Sequence, residues 1–89
     1  MKKSFILKIY GRVQNVGFRY HTKKTADSLH ITGFVKNQPD GSVYIEAEGD
    51  EVSIDHFVLW CQNGPLWARV ERIEQQPSPV QNFKGFIVK

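Results

Sequence analysis

The apolar residues of this chain alternate between two spacings, and that alternation constrains its fold more than any other feature of the sequence. Phe5, Leu7 and Ile9 interleave with Ile6, Lys8 and Tyr10, a period of two with one wholly apolar face, and Gly11 closes the run. This predicts a first strand. From Phe18 the spacing lengthens: Phe18, Thr22, Ala26 and Leu29 lie three or four apart with Lys23, Lys24 and Asp27 between them. That pattern predicts a surface helix running to about Leu29. The short period then returns in Ile31 to Lys36 and in Ser42 to Glu48, separated by the turn-forming Asn37-Gln38-Pro39-Asp40-Gly41. The two runs predict a hairpin with Val43, Ile45 and Ala47 facing inward and Ser42, Tyr44, Glu46 and Glu48 facing outward.

A second helix follows, with Asp50 as its expected N-cap, Glu51 in its first turn and Ile54, Phe57, Val58 and Cys61 at helical spacing. Gly64-Pro65 ends it. Ala68 to Gln75 reads as a strand in which Val70 and Ile73 stand three apart, so one extra residue, a bulge, is expected there. A short last strand, Phe83 to Val88, follows a loop at Pro77 and Pro79. The order is β-α-β-β-α-β with a short extra C-terminal strand. This is the ferredoxin-like α+β plan, a mainly antiparallel sheet with two helices on one face. Residues 1–89 are expected to form one domain, because a chain of this length supports one compact core.

A hydrophobic share of 40% and a charged share of 24% exclude the disordered and fibrous classes. The lone Cys61 cannot form an internal disulfide, which points to the cytoplasm. No apolar run reaches the roughly 18 residues that span a bilayer, and Lys8 breaks the N-terminal one, so no membrane partner is expected. The net charge of +3 favours anionic partners, yet the basic residues are scattered among acidic ones. A small anion fits as well as nucleic acid.

The segment Gly11-Arg12-Val13-Gln14-Asn15-Val16-Gly17-Phe18-Arg19 connects a strand end to a helix start. Free N–H groups and the helix dipole favour an anion there. Gly17 lets the backbone approach a ligand, and Arg19 in the first helical turn can offer a planar fork to two phosphate oxygens. On spacing alone such a turn serves structure as readily as it serves a ligand. It is not a Walker loop: Gly11 and Gly17 are too far apart, and no Lys-Ser or Lys-Thr follows.

The residue identities add more. The segment resembles the acylphosphatase signature Gly-Arg-Val-Gln-Gly-Val-Gly-Phe-Arg at every position except Asn15, where that family usually has Gly. The likeness continues through Gly33-Phe34-Val35-Lys36-Asn37, Asp40-Gly41-Ser42-Val43 and Ala47-Glu48-Gly49, and through Gly64-Pro65 with Ala68, Val70 and Ile73. The resemblance implies a cytoplasmic, metal-independent hydrolase of the carboxyl-phosphate bond. It implies Arg19 and Asn37 as the catalytic pair, and Gln14, Asn15, Val16, Gly17 and Phe18 as the substrate-binding loop. It further implies an acyl phosphate substrate, inorganic phosphate as product, no cofactor and a monomer. In the expected fold the second strand runs parallel to the first, so Asn37 and the start of the first helix share one edge of the sheet.

His21, His30 and His56 lack metal-ligand spacing, and Cys61 sits on the apolar stripe of its helix without a partner base. Trp60 and Trp67 flank the end of the second helix and read as core or rim aromatics. Two other classes stay open. An RNA-binding module would stack bases on the central strands, but the third strand offers only Tyr44 among Glu46 and Glu48. A non-catalytic anion-binding domain would use the same loop without turnover.

Overall fold

The computed structural model describes all of residues 1–89. Its elements are β1 (Lys2–Arg12), α1 (Phe18–Ser28), β2 (Thr32–Asn37), β3 (Val43–Asp50), α2 (Glu51–Asn63), β4 (Arg69–Pro77) and β5 (Phe86–Val88). The sheet order is β4-β1-β3-β2-β5. β3 pairs antiparallel with both β1 and β2, so β1 and β2 point the same way, and β5 joins β2 in parallel. This is the ferredoxin-like plan that the alternating periods imply. No helix is long and apolar enough to cross a membrane.

The core lies between the sheet and the two helices. Leu7 and Ile9 of β1, Val35 of β2 and Val43, Ile45 and Ala47 of β3 meet Phe18 and Ala26 of α1 and Ile54, Phe57 and Cys61 of α2. Each strand contributes alternate residues and each helix a stripe three or four apart, which is why the spacing announced the elements. Thr22 joins the same stripe because its hydroxyl donates to the Phe18 carbonyl oxygen at 2.7 Å, so burial leaves no polar group unpaired.

Several boundaries differ from expectation for identifiable reasons. β1 does not close at Gly11 but continues to Arg12, because the expected bulge sits there: Tyr10 pairs with Arg72 and Gly11 with Val70, leaving Glu71 extra. A Cβ on Gly11 would lie 2.2 Å from the Arg69 carbonyl oxygen, so only glycine fits the crossing. α1 ends one residue early. His30 takes a positive φ of 57°, and the Ile31 N–H reaches back to the Ala26 carbonyl at 2.8 Å, a Schellman closure without glycine. Asp50 occupies the N-cap position of α2, but its side chain makes no cap bond and lies 3.8 Å from the N-terminal ammonium instead. Trp60 packs on Phe18 with ring centroids 5.6 Å apart, whereas Trp67 is 74% exposed and belongs to neither core nor rim.

The outer face of the sheet departs most. Ser42 and Glu48 were expected to face water, yet both are buried, Glu48 completely. The segment linking β4 to β5 crosses this face as a strap. Glu48 accepts the backbone N–H groups of Gln81 and Phe83, the latter at 3.1 Å. The Ser78 N–H donates to the Ser4 carbonyl, and the Phe83 ring meets Phe34 edge-on. With Phe83 committed to Glu48, the last strand starts only at Phe86. Ser42 is turned inward by its hydroxyl and N–H, both of which donate to Asp40 Oδ1.

Candidate functional site

β1 leaves the sheet at Arg12, and residues 13–17 turn the chain into α1 at the same edge where β2 ends in Asn37. Two left-handed residues shape the turn. Asn15 has φ 62° and Gly17, the N-cap of α1, has φ 77°. Gly17 forms no side-chain cap, and α1 has no acidic residue in its first turn. The first helical bond runs from the His21 N–H to the Gly17 carbonyl at 3.1 Å. The backbone N–H groups from Asn15 to Tyr20 therefore have no protein acceptor. An array of free N–H groups at a helix start, with an uncompensated dipole behind it, has the chemistry to cradle an anion.

The loop is tied to the neighbouring turn. Gln14 Nε2 donates to the carbonyl oxygens of Gln38 and Ser42 at 2.8 and 2.9 Å. Its amide nitrogen is thus occupied by protein, and it fixes the β2–β3 turn immediately after Asn37. The Ser42 hydroxyl and then the Ser42 N–H hold the Asp40 carboxyl below its ordinary range. Val16 points its side chain at the core, and Phe18 is buried against Trp60, so these two can offer a ligand only their backbone.

A shallow cleft of about 400 Å³ opens over the cradle, lined by Val13, Asn15, Gly17, Phe18, Arg19, Tyr20, Asn37 and Val88. Arg19 Nη1 donates to the Lys89 main-chain oxygen at 2.8 Å, and one turn later Lys23 Nζ donates to the Phe86 carbonyl at 3.0 Å. α1 thereby clamps β5, and β5 in return steadies the guanidinium. A guanidinium has five N–H donors, so most of the fork stays free. Across the cleft the Asn37 Oδ1 is buried without a hydrogen-bond partner from the protein. Such an orphan acceptor costs about 1–3 kcal/mol in a folded protein, a cost that a bound water or ligand would remove.

The structure brings Asn15, Gly17, Phe18, Arg19 and Asn37 to one place, and sets the Gln14 and Val16 side chains apart from it. Sequence reading missed Tyr20, Val88 and the Lys89 main-chain oxygen. Only the parallel pairing of β5 with β2, which places Val88 beside Val35, could have revealed the last two. No three His, Cys, Asp or Glu side chains converge on a point. Burial pushes the Cys61 thiol up, so it has no nucleophilic character at neutral pH. A hollow of about 450 Å³ on the outer face is lined by Lys8, Tyr44 and Glu74 among others. There Lys8 pairs with Asp40 at 3.7 Å and Tyr44 donates to Glu46, so the main polar groups are already answered.

Comparisons with known proteins identify the family. The acylphosphatase family model matches residues 5–88. An acylphosphatase of Mannheimia succiniciproducens is 53% identical over 90 residues, covering all of this chain and 98% of its own. The crystal structure of an acylphosphatase from Bacillus subtilis superimposes with a TM-score of 0.95 at 36% identity, covering all of this chain and 99% of that one. The acylphosphatase structure from Coxiella burnetii gives 0.96 at 32% identity, over 99% of this chain and 93% of that one.

Proposed function

The chain belongs to the acylphosphatase family and is a hydrolase of that kind, and from that premise we propose that Arg19, the 15–20 amides and Asn37 carry the reaction. In this reading the phosphoryl group of an acyl phosphate rests on the free N–H groups of the cradle. The unoccupied donors of Arg19 grip two of its oxygens. Asn37 Oδ1 accepts a hydrogen from a water and turns the lone pair of that water toward phosphorus. The P–O bond to the acyl group breaks as the new P–O bond forms, its electron pair leaves on the carboxylate, and the water proton passes to a phosphoryl oxygen. A carboxylate is a weak base and leaves without a general acid, and the transition state is loose. Positioning and charge stabilisation therefore suffice.

The observation that carries this reading is the buried, unpartnered Asn37 Oδ1 facing an array of free N–H groups. The positive charge comes from Arg19, so turnover of benzoyl phosphate should persist after exhaustive chelation. Asn37→Ala should lower kcat by about 10²-fold with little change in the competitive Ki of inorganic phosphate, because the cradle binds phosphate without the water. Steady-state kinetics with phosphate as inhibitor check both. A loss confined to KM would make Asn37 a binding residue, and phosphate that fails to compete would remove the cradle.

A further inference from the structure

The cleft has two ends of different chemistry. Asn15, Gly17, Arg19 and Asn37 make the polar end. Among its apolar lining, Val13 and Phe18 are 1% exposed and belong to the core, but Tyr20 and Val88 stay 65% and 39% exposed. Single exposed apolar residues are ordinary on a protein surface. Here two of them, from different elements, line the same cleft as Arg19. Tyr20 follows Arg19 on α1, and Val88 precedes Lys89, whose main-chain oxygen holds Arg19. The Tyr20 ring is set edge-on to the His21 imidazole, with centroids 5.1 Å apart at 82°. A phosphoryl group clamped by Arg19 and the amides must send its acyl substituent away from those donors. The exposed apolar side-chain surface of the cleft comes from Tyr20 and Val88.

We propose that Tyr20 and Val88 form an apolar wall for the acyl group, and so make aromatic or branched aliphatic acyl phosphates better substrates than acetyl phosphate. The inference rests on the phosphate-cradle reading above. Because the wall is open to water on its far side, it discriminates modestly, and through binding of the acyl group more than through the chemical step.

The test is steady-state hydrolysis of benzoyl phosphate and acetyl phosphate by the wild-type protein and by Tyr20→Ser, Val88→Ser and Tyr20→Phe, with the Ki of inorganic phosphate measured for each. Wild type should favour benzoyl phosphate through KM. Each serine variant should lower the benzoyl-to-acetyl ratio of kcat/KM by about three- to tenfold. Tyr20→Phe should keep the ratio, since the ring and not the hydroxyl makes the wall. An unchanged ratio in both serine variants, or a fall in Tyr20→Phe as large as in Tyr20→Ser, would overturn the wall while phosphate inhibition left the cradle standing. Wild type that hydrolyses neither compound, or that phosphate does not inhibit, would overturn the cradle and the wall with it.

Discussion

At φ 62° Asn15 occupies the left-handed region, where its short amide side chain is tolerated better than any other except glycine. The position therefore needs a backbone shape, and the departure from the family glycine keeps it. Asn15→Gly should leave kcat/KM within about tenfold, because both residues offer the same N–H at the same φ. Asn15→Val should cost about 1–3 kcal/mol of stability, since a β-branched residue is strained there. Thermal melts and steady-state kinetics on the pair separate the readings. A large kinetic loss in Asn15→Gly would mean that the amide side chain itself touches substrate. Gln14 shows the opposite kind of residue. It sits in the loop by sequence, but its side chain serves the carbonyls of Gln38 and Ser42, on a different loop.

Among the elements, β5 and the strap before it decide how well the site is held. β5 has three residues and one strand partner, too little to be stable alone. It is kept in place by α1 through Arg19 and Lys23, by the Gly33 N–H on the Gly85 carbonyl, and by the Lys89 N–H on Val35. The strap depends on Glu48, a fully buried side chain that accepts two backbone N–H groups. Removing it leaves those donors unmatched in a covered place. Glu48→Ala should therefore destabilise the fold by at least about 2 kcal/mol, measured by denaturant unfolding. A loss below about 0.5 kcal/mol would show that the Ser4–Ser78 contact and the Phe83–Phe34 contact hold the strap unaided. The strap was illegible in the sequence, because a loop rich in Pro, Ser and Gln carries no period and Glu48 stands where strand alternation normally faces water.

For the molecule as a whole, buried acids set the pH response. Burial pushes the Cys61 thiol above its ordinary 9.0, and burial together with Glu46 pushes the Tyr44 hydroxyl up from 10.0 to about 12. Both groups hold their protons longer folded than unfolded, so their contribution is full below about pH 9 and is lost as pH rises toward about 12. Asp40, held low by Ser42, acts in reverse: its contribution is present above its ordinary 3.8 and is lost as pH falls. The melting temperature should hold level across neutral pH and decline above about 9, and a level profile through pH 11 would refute the upward shifts of both groups. The sequence by itself determined the element order, the inward faces of β1 and β3, the bulge between Val70 and Ile73 and the loop that joins β1 to α1. Each of these rests on local spacing or on a backbone geometry that one residue type permits. Only the tertiary structure decided that the Asn37 Oδ1 is buried without a partner from the protein, that Glu48 is covered, that Gln14 braces a distant turn, and that Tyr20 and Val88 line the same cleft as Arg19. Those properties depend on which atoms approach from elements far apart in the chain, and no periodicity within one segment encodes such approach.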